Sequence, residues 1–200
     1  MSLTAPHRTA EVTRETRETR ITVRLDLDGS GKTDIATGVG FYDHLLTSFG
    51  HHALFDLTIR ADGDLEIDDH HTVEDVALVL GQALSEALGD RAGILRFGEA
   101  SVPMDEALAT AVIDFSGRPY AVLDVALHAE RIGGLSTQLI PHALESLART
   151  AGATLHIRAT GRNDHHTAEA TFKALARATR QAVTIDPRRS GVASTKGSLG

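Results

Sequence analysis

The 200-residue chain has no cysteine and no tryptophan, and only six phenylalanines and two tyrosines. Without cysteine there can be no disulfide, no thiolate zinc site and no iron–sulfur cluster, so any bound metal must be held by nitrogen and oxygen. With aromatics at 4%, stacking platforms for nucleic-acid bases are not expected. Basic residues are in deficit. The 20 Lys and Arg against 27 Asp and Glu leave a net charge of −7, which argues against a nucleic-acid partner but allows local cations to bind a small anion. No apolar run approaches the length of a bilayer span, and MSLTAPHRTAEVTRETRETR has no apolar stretch of the kind a secretion signal needs. The expectation is a cytoplasmic protein with no membrane partner.

What the chain has in excess is histidine. There are 11, and they cluster as His51-His52, His70-His71 and His165-His166. The chain is also written twice. Residues 41–63 align with 139–161, with nine of 23 positions identical: His44/His142, Leu46/Leu144, Ser48/Ser146, Ala53/Ala151, Leu57/Leu155, Ile59/Ile157, Arg60/Arg158, Ala61/Ala159 and Gly63/Gly161. After a three-residue drop, DHHTVED (69–75) aligns with DHHTAEA (164–170). Every residue type suited to metal binding recurs in the match, which reads as a duplicated half-domain.

Patterning supplies the elements. RITVRLDL (20–27) alternates as a half-buried strand does, and 32–37 suits a hairpin return after the Asp28–Gly31 turn. Helices are expected over 42–51 and 74–88, with a strand over 55–61 between them. In the second copy, strands 111–115 and 120–127 flank a Ser116–Pro119 turn. A helix over 138–150, a strand over 154–159 and a helix over 165–183 follow, with extra strands around Gly98–Ala100. The fold class is therefore α+β, two half-domains of β-β-α-β-α type. We divide the chain into a flexible tail (1–10), a first half (11–92), a second half (93–187) and a C-terminal loop carrying STKG (188–200).

In His70-His71-x-x-Glu74, the first and last residues share a helix face and can grip one ion. His71 points about a third of a turn away and suits a second ion. His165-His166-x-x-Glu169 has the same design. One such doublet alone reads as surface histidines at a helix start. Two, each preceded by His44 or His142, read as ligand sets. Pseudo-twofold symmetry suggests sharing: His70, Glu74, His142 and His166 on one ion, His165, Glu169, His44 and His71 on the other. Nitrogen and oxygen ligands in an open shell suit Mn²⁺, with Fe²⁺, Co²⁺, Ni²⁺ and Zn²⁺ as competitors. Asp69 and Asp164 are candidates for helix capping or for orienting imidazoles.

These motifs, together with RETRETRI (14–21), TGVGFYDHLL (37–46), GDLEIDDHHTVED (63–75), RFGEASVPMDEAL (96–108), DFSGRPY (114–120), TLHIRATGRNDHHTAEATFKALARATRQA (154–182) and STKG (194–197), resemble the imidazoleglycerol-phosphate dehydratase family over almost the full chain. The resemblance implies helices packed between two mixed sheets, assembly of trimers into a 24-subunit homo-oligomer, and active sites at subunit interfaces. It implies a lyase of histidine biosynthesis that dehydrates D-erythro-imidazole-glycerol phosphate to imidazole-acetol phosphate. Two Mn²⁺ per active site would hold the ring as an imidazolate, and the reaction would pass through a diazafulvene-like intermediate.

By the same resemblance, Glu18 is the acid–base group, and His71 and His166 count as catalytic through the metal. His44, His52, His70 and Glu74 adjoin the substrate. Arg96, Arg118, Lys173, Ser194 and Lys196 meet its phosphate, to which Arg offers paired donors and Lys a point charge. Taken alone, Glu18 reads as an exposed strand carboxylate and each of these cations as a solvated surface charge. Ser48 stands where many members carry a phosphate-holding Gln. Two rivals remain open: another metal-dependent lyase or hydrolase on the same scaffold, and a metal-storage shell protein.

Overall fold

The computed structural model describes residues 8–199. The first half runs β1 (Thr9–Glu15), β2 (Thr19–Asp26), β3 (Thr33–Ala36), α1 (Gly40–Ala53), β4 (Asp56–Gly63) and α2 (His70–Leu88). The second runs β5 (Phe97–Met104), β6 (Ala107–Asp114), β7 (Tyr120–Val125), a small ribbon of β8 (Arg131–Ile132) and β9 (Leu135–Ser136), then α3 (Leu139–Ala151), β10 (Thr154–Thr160) and α4 (Asp164–Val183). Two four-stranded sheets have matching orders, β1-β2-β4-β3 and β5-β6-β10-β7. In each, the last pair is parallel (β3 with β4, β7 with β10) and joined through a helix, while the other pairs are antiparallel. The α+β class and the duplicated arrangement therefore hold.

Local chemistry explains the elements. In β2, Thr19, Ile21, Val23 and Leu25 are buried while Arg20 and Arg24 face out, the period-2 pattern of a half-covered sheet. Along α2, Val73, Val76, Ala77, Leu80, Ala83, Leu84 and Ala87 form the buried stripe. The helices lie between the sheets: α2 packs on β1 and β2, and α4 on β5 and β6. They also pair across the halves, α1 with α4 and α2 with α3. At the α2–α3 crossing Gly81 is required, because a Cβ there would sit 2.4 Å from the Leu147 carbonyl oxygen and 2.2 Å from the Thr150 hydroxyl.

Two expectations need correction. The 32–37 segment is not a hairpin return: β3 pairs with β4, parallel, and never with β2. As expected, β6 and β7 flank the Ser116–Pro119 turn, and β10 lies between them in the sheet. The first half also has a further outer strand, β1, before the strand expected first, whereas its counterpart β5 falls where extra strands were expected around Gly98–Ala100. In β1 only Val12 is buried, so its charged face hid it. It begins at Thr9, inside the segment read as a flexible tail, whose residues 1–7 lie outside those described. The C-terminal loop returns to the link between the halves, where Gly93 N donates to Gly191 O at 2.8 Å and Ala92 bridges Val192.

Candidate metal centres

Helix α2 starts at His70 rather than at Glu74, so the whole His-His-x-x-Glu motif is helical, as it is at the start of α4. The helix pairs that cross the halves then assemble two clusters. His44 from α1 meets His165 and Glu169 from α4; His142 from α3 meets His70 and Glu74 from α2. In the first, Glu169 Oε2 lies 3.1 Å from His44 Nε2 and 3.3 Å from His165 Nε2. In the second, Glu74 Oε2 lies 3.4 Å from His142 Nε2 and 3.5 Å from His70 Nε2.

These spacings suit a shared cation. Two ligand atoms at about 2.1 Å from an ion and at right angles lie about 3 Å apart. In each cluster the three ligand atoms all fall within 4.8 Å of one another. His142 Nε2 is buried without a hydrogen-bond partner, an orphan that an ion would satisfy. The second oxygen of each carboxylate is already held, Glu169 Oε1 by Lys173 Nζ at 2.7 Å and Glu74 Oε1 by Arg149 at 3.3 Å. Burial pushes the Glu169 carboxyl up, but Lys173 and His44 outweigh it and hold it at about 2. Glu74 is also lowered, with burial opposed by His142, Arg149 and His70. Both stay anionic, as ligands must.

The expected fourth ligands are elsewhere. His71 Nδ1 is 2.9 Å from Asp64 and 3.9 Å from Glu18, and His166 Nδ1 is 2.9 Å from Glu106. Neither belongs to a cluster formed by the described residues. The Asp64 hydrogen bond raises the His71 imidazole above its ordinary pKa, and the Glu106 bond does the same for His166. Glu106 is pulled down to about 2 by His166 and by the backbone amides around it. Asp64 and Glu106 were not singled out from the sequence. Nothing in helical spacing points to them, because they reach the histidines from the end of β4 and the β5–β6 turn.

Asp69 and Asp164 neither cap helices through their side chains nor touch imidazoles. Asn163 caps α4, accepting from the amides of His165 and His166. Asp69 is buried and accepts from Ser136 N at 2.6 Å, with Arg131 at 3.1 Å; Asp164 accepts from the amides of His128 and Ala129. Both tie the 126–138 excursion, which has no counterpart in the first half, to the starts of the two ligand helices.

The proposed phosphate cations do not converge within one chain. Arg96 is engaged by Asp114 through Nε (2.6 Å) and Nη2 (2.9 Å) and donates to the Ala193 carbonyl, which puts it near Ser194 and the exposed Lys196. Exposed Arg118 follows the β6 end of the same sheet. Lys173 is apart from them: Arg96 N bonds Ala182 O, nine residues farther along α4 than Lys173, about 14 Å at 1.5 Å per residue. His52 lies toward Lys173 and Arg177, its imidazole pushed down by burial and then by those cations. Ser48 is buried with its hydroxyl unpartnered. Glu18 lines a surface groove of about 480 Å³ with Arg17, Arg20, Asp62, Asp64 and Glu66.

Fold and clusters together define a duplicated α+β protein carrying two symmetry-related imidazole–carboxylate sets that could each hold a metal ion. Comparison with known proteins narrows the class. The family model for imidazoleglycerol-phosphate dehydratase matches residues 37–179. The chain is 57% identical over 194 residues to the imidazoleglycerol-phosphate dehydratase of Acidiphilium cryptum, covering 96% of this chain and 99% of the relative. It is 56% identical to that of Nocardia farcinica, covering 98% of each. The crystal structure of the Staphylococcus aureus enzyme superposes with a TM-score of 0.81 at 37% identity, covering 89% of this chain and 99% of that one. That of IGPD from Pyrococcus furiosus gives 0.82 at 39%, covering 94% and 100%. The chain belongs to the imidazoleglycerol-phosphate dehydratase family.

Proposed function

We propose that the protein is a manganese-dependent hydro-lyase converting D-erythro-imidazole-glycerol phosphate to imidazole-acetol phosphate in histidine biosynthesis, in the cytoplasm. The single observation that carries this reading is the pair of clusters. The substrate ring offers two nitrogens, and the duplicated frame offers two ligand sets. His44, His165 and Glu169 would hold one cation and His70, Glu74 and His142 the other. The cations would supply Lewis-acid polarisation of the ring nitrogens.

The chain's own groups have the remaining work. The proton to be lost sits on a carbon with no adjacent carbonyl, so it becomes acidic only after the neighbouring hydroxyl leaves and the ring takes diazafulvene character. Glu18, half-exposed on its turn, is the group for proton transfer at that carbon. Arg96, Arg118, Lys173, Ser194 and Lys196 anchor the phosphate and His52 adjoins the substrate. A complete site draws on more than one subunit of a homo-oligomer, a 24-subunit shell built from trimers. Two features support this: His71 and His166 turn away from the clusters of their own chain, and Lys173 stands apart from the other phosphate cations.

The test is turnover of the purified protein after metal stripping and refilling. Activity should vanish on chelation and return with Mn²⁺ at two ions per protomer. Undiminished turnover by the stripped protein would sink the reading. Binding of Mn²⁺ without conversion of this substrate would point to the rival lyase or storage roles.

A further inference from the structure

The turns that precede β2 and β6 occupy matching places in the duplicated frame. Thr19 faces Gly63 across β2–β4. Leu108 faces Thr160 across β6–β10, which sets Ala107 beside Gly161. Gly63 and Gly161 correspond in the repeat, so Thr19 corresponds to Ala107 and Glu18 to Glu106. The surroundings agree: a Cβ on Gly63 would press on Thr72 and Thr19, and one on Gly161 on Thr167 and Ala107. On the outer strands Arg14 faces Ile21 and Val102 faces Ala109, so Arg14 corresponds to Val102. In the aligned motifs Asp75 corresponds to Ala170.

Three corresponding positions thus differ as a set. In the first half they form a polar cluster: Arg14 Nε is 3.1 Å from Asp75 Oδ1, and the Thr19 hydroxyl donates to Asp75 Oδ2. Thr19 is 4% exposed and Asp75 8%. In the second half the set is Val102, Ala107 and Ala170, all apolar. Burying a carboxylate with its partners carries a desolvation cost that apolar residues avoid, and the second half shows that the frame closes without it.

The polar set adjoins a feature that the second half lacks. Glu106 is tied down, accepting from the amides of Arg162 (3.1 Å) and Asn163 (2.8 Å) and meeting His166. Glu18 is not tied this way, because Asp64 has taken its place on His71. Its backbone, however, is fixed on both sides. Glu18 N donates to Thr16 Oγ1 at 3.1 Å, Glu18 O accepts from Asp64 N at 3.1 Å, and Thr16 Oγ1 lies 3.0 Å from Thr19 N and 3.2 Å from Thr19 Oγ1. A continuous network runs from Arg14 through Asp75 and Thr19 to Thr16 and the Glu18 amide.

We propose that Asp75, acting with Arg14 and Thr19, is a positioning residue that locks the 16–18 turn and thereby sets where the Glu18 carboxylate stands against the reacting carbon. This rests on the reading of Glu18 as the proton-transfer group.

The test transplants the other half's solution, R14V/T19A/D75A, with Thr19→Val as a milder second variant, into the manganese-loaded wild type and into Glu18→Gln. In the wild-type background kcat should fall about 10- to 100-fold, the cost of misplacing a reacting group by about 1 Å. KM and Mn²⁺ stoichiometry should stay put, and the Glu18 and Thr19 amides should exchange faster with solvent. In the Glu18→Gln background the same changes should cost nothing more, since groups acting through one residue are not additive. Undiminished kcat in both variants, a loss that multiplies with Glu18→Gln, or failure of the triple variant to assemble would each overturn the proposal. Full activity of Glu18→Gln by itself would instead overturn the Glu18 reading beneath it.

Discussion

Helix α1 ends on Leu54, with φ of 58°, and its counterpart α3 ends on Gly152, with φ of 59°. Helix α2 has Gly81 where α4 has the fully buried Ala176. The first half binds its outlying histidine with Asp64 and the second with Glu106. The elements and sheet orders coincide, yet these local devices differ. Backbone geometry is fixed by the shared frame, and the left-handed turn after the helix is kept even where a leucine must adopt it. Carboxylates near the histidines are less constrained, because a hydrogen bond to an imidazole can be delivered from any loop that passes within reach.

Changes at paired positions can break or sharpen this comparison. The largest divergence is expected between Glu18→Gln and Glu106→Gln. The first should cost at least about 100-fold in kcat, in keeping with loss of a general acid–base group, while Mn²⁺ binding is retained. The second should weaken Mn²⁺ binding by about 10- to 100-fold through loss of the carboxylate that orients His166, read by metal titration. Equal effects on both quantities would erase the distinction between the two turns. Next, Gly81→Ala should destabilise the fold by about 1–3 kcal/mol, because its Cβ would meet the Leu147 carbonyl and the backbone must move. At the matching place Ala176→Gly should cost about 1–2 kcal/mol, from helix propensity and one lost buried methyl. Urea midpoints separate the two, and a tolerated Gly81→Ala would mean that the two helix pairs cross at the same distance. The smallest effect concerns the helix ends. Leu54→Gly should raise stability by about 1 kcal/mol by removing the left-handed strain of an L side chain, and a lowered midpoint would show that Leu54 contributes more by packing than it loses in strain.

Much of this was legible in the sequence for a physical reason. Helices α2, α3 and α4 carry apolar stripes at helical spacing, and β2 and β10 alternate cleanly, so local order announced them. The repeat supplied His44 and His142 as partners for the two motifs, and the structure brings each to the motif of the opposite half. What stayed hidden depends on lateral neighbours. The parallel pairing of β3 and β7 is decided by a strand that arrives after a helix. Edge strand β1 buries too little to show a period. Asp64 and Glu106 act across loops, and Arg14, Thr19 and Asp75 meet only once β1, β2 and α2 are packed. One trace was visible all the same, in DHHTVED against DHHTAEA, whose last residues differ where the rest nearly agree.

Because α1 pairs with α4 and α2 with α3, neither copy of the repeat owns a complete ligand cluster. A chain of half this length could form both only by meeting a second molecule of itself about a two-fold axis, and every residue would then be obliged to serve at two equivalent stations. Joining the copies end to end lifts that obligation. One turn can then present its carboxylate, Glu18, to a surface groove, while its twin commits Glu106 to holding an imidazole still.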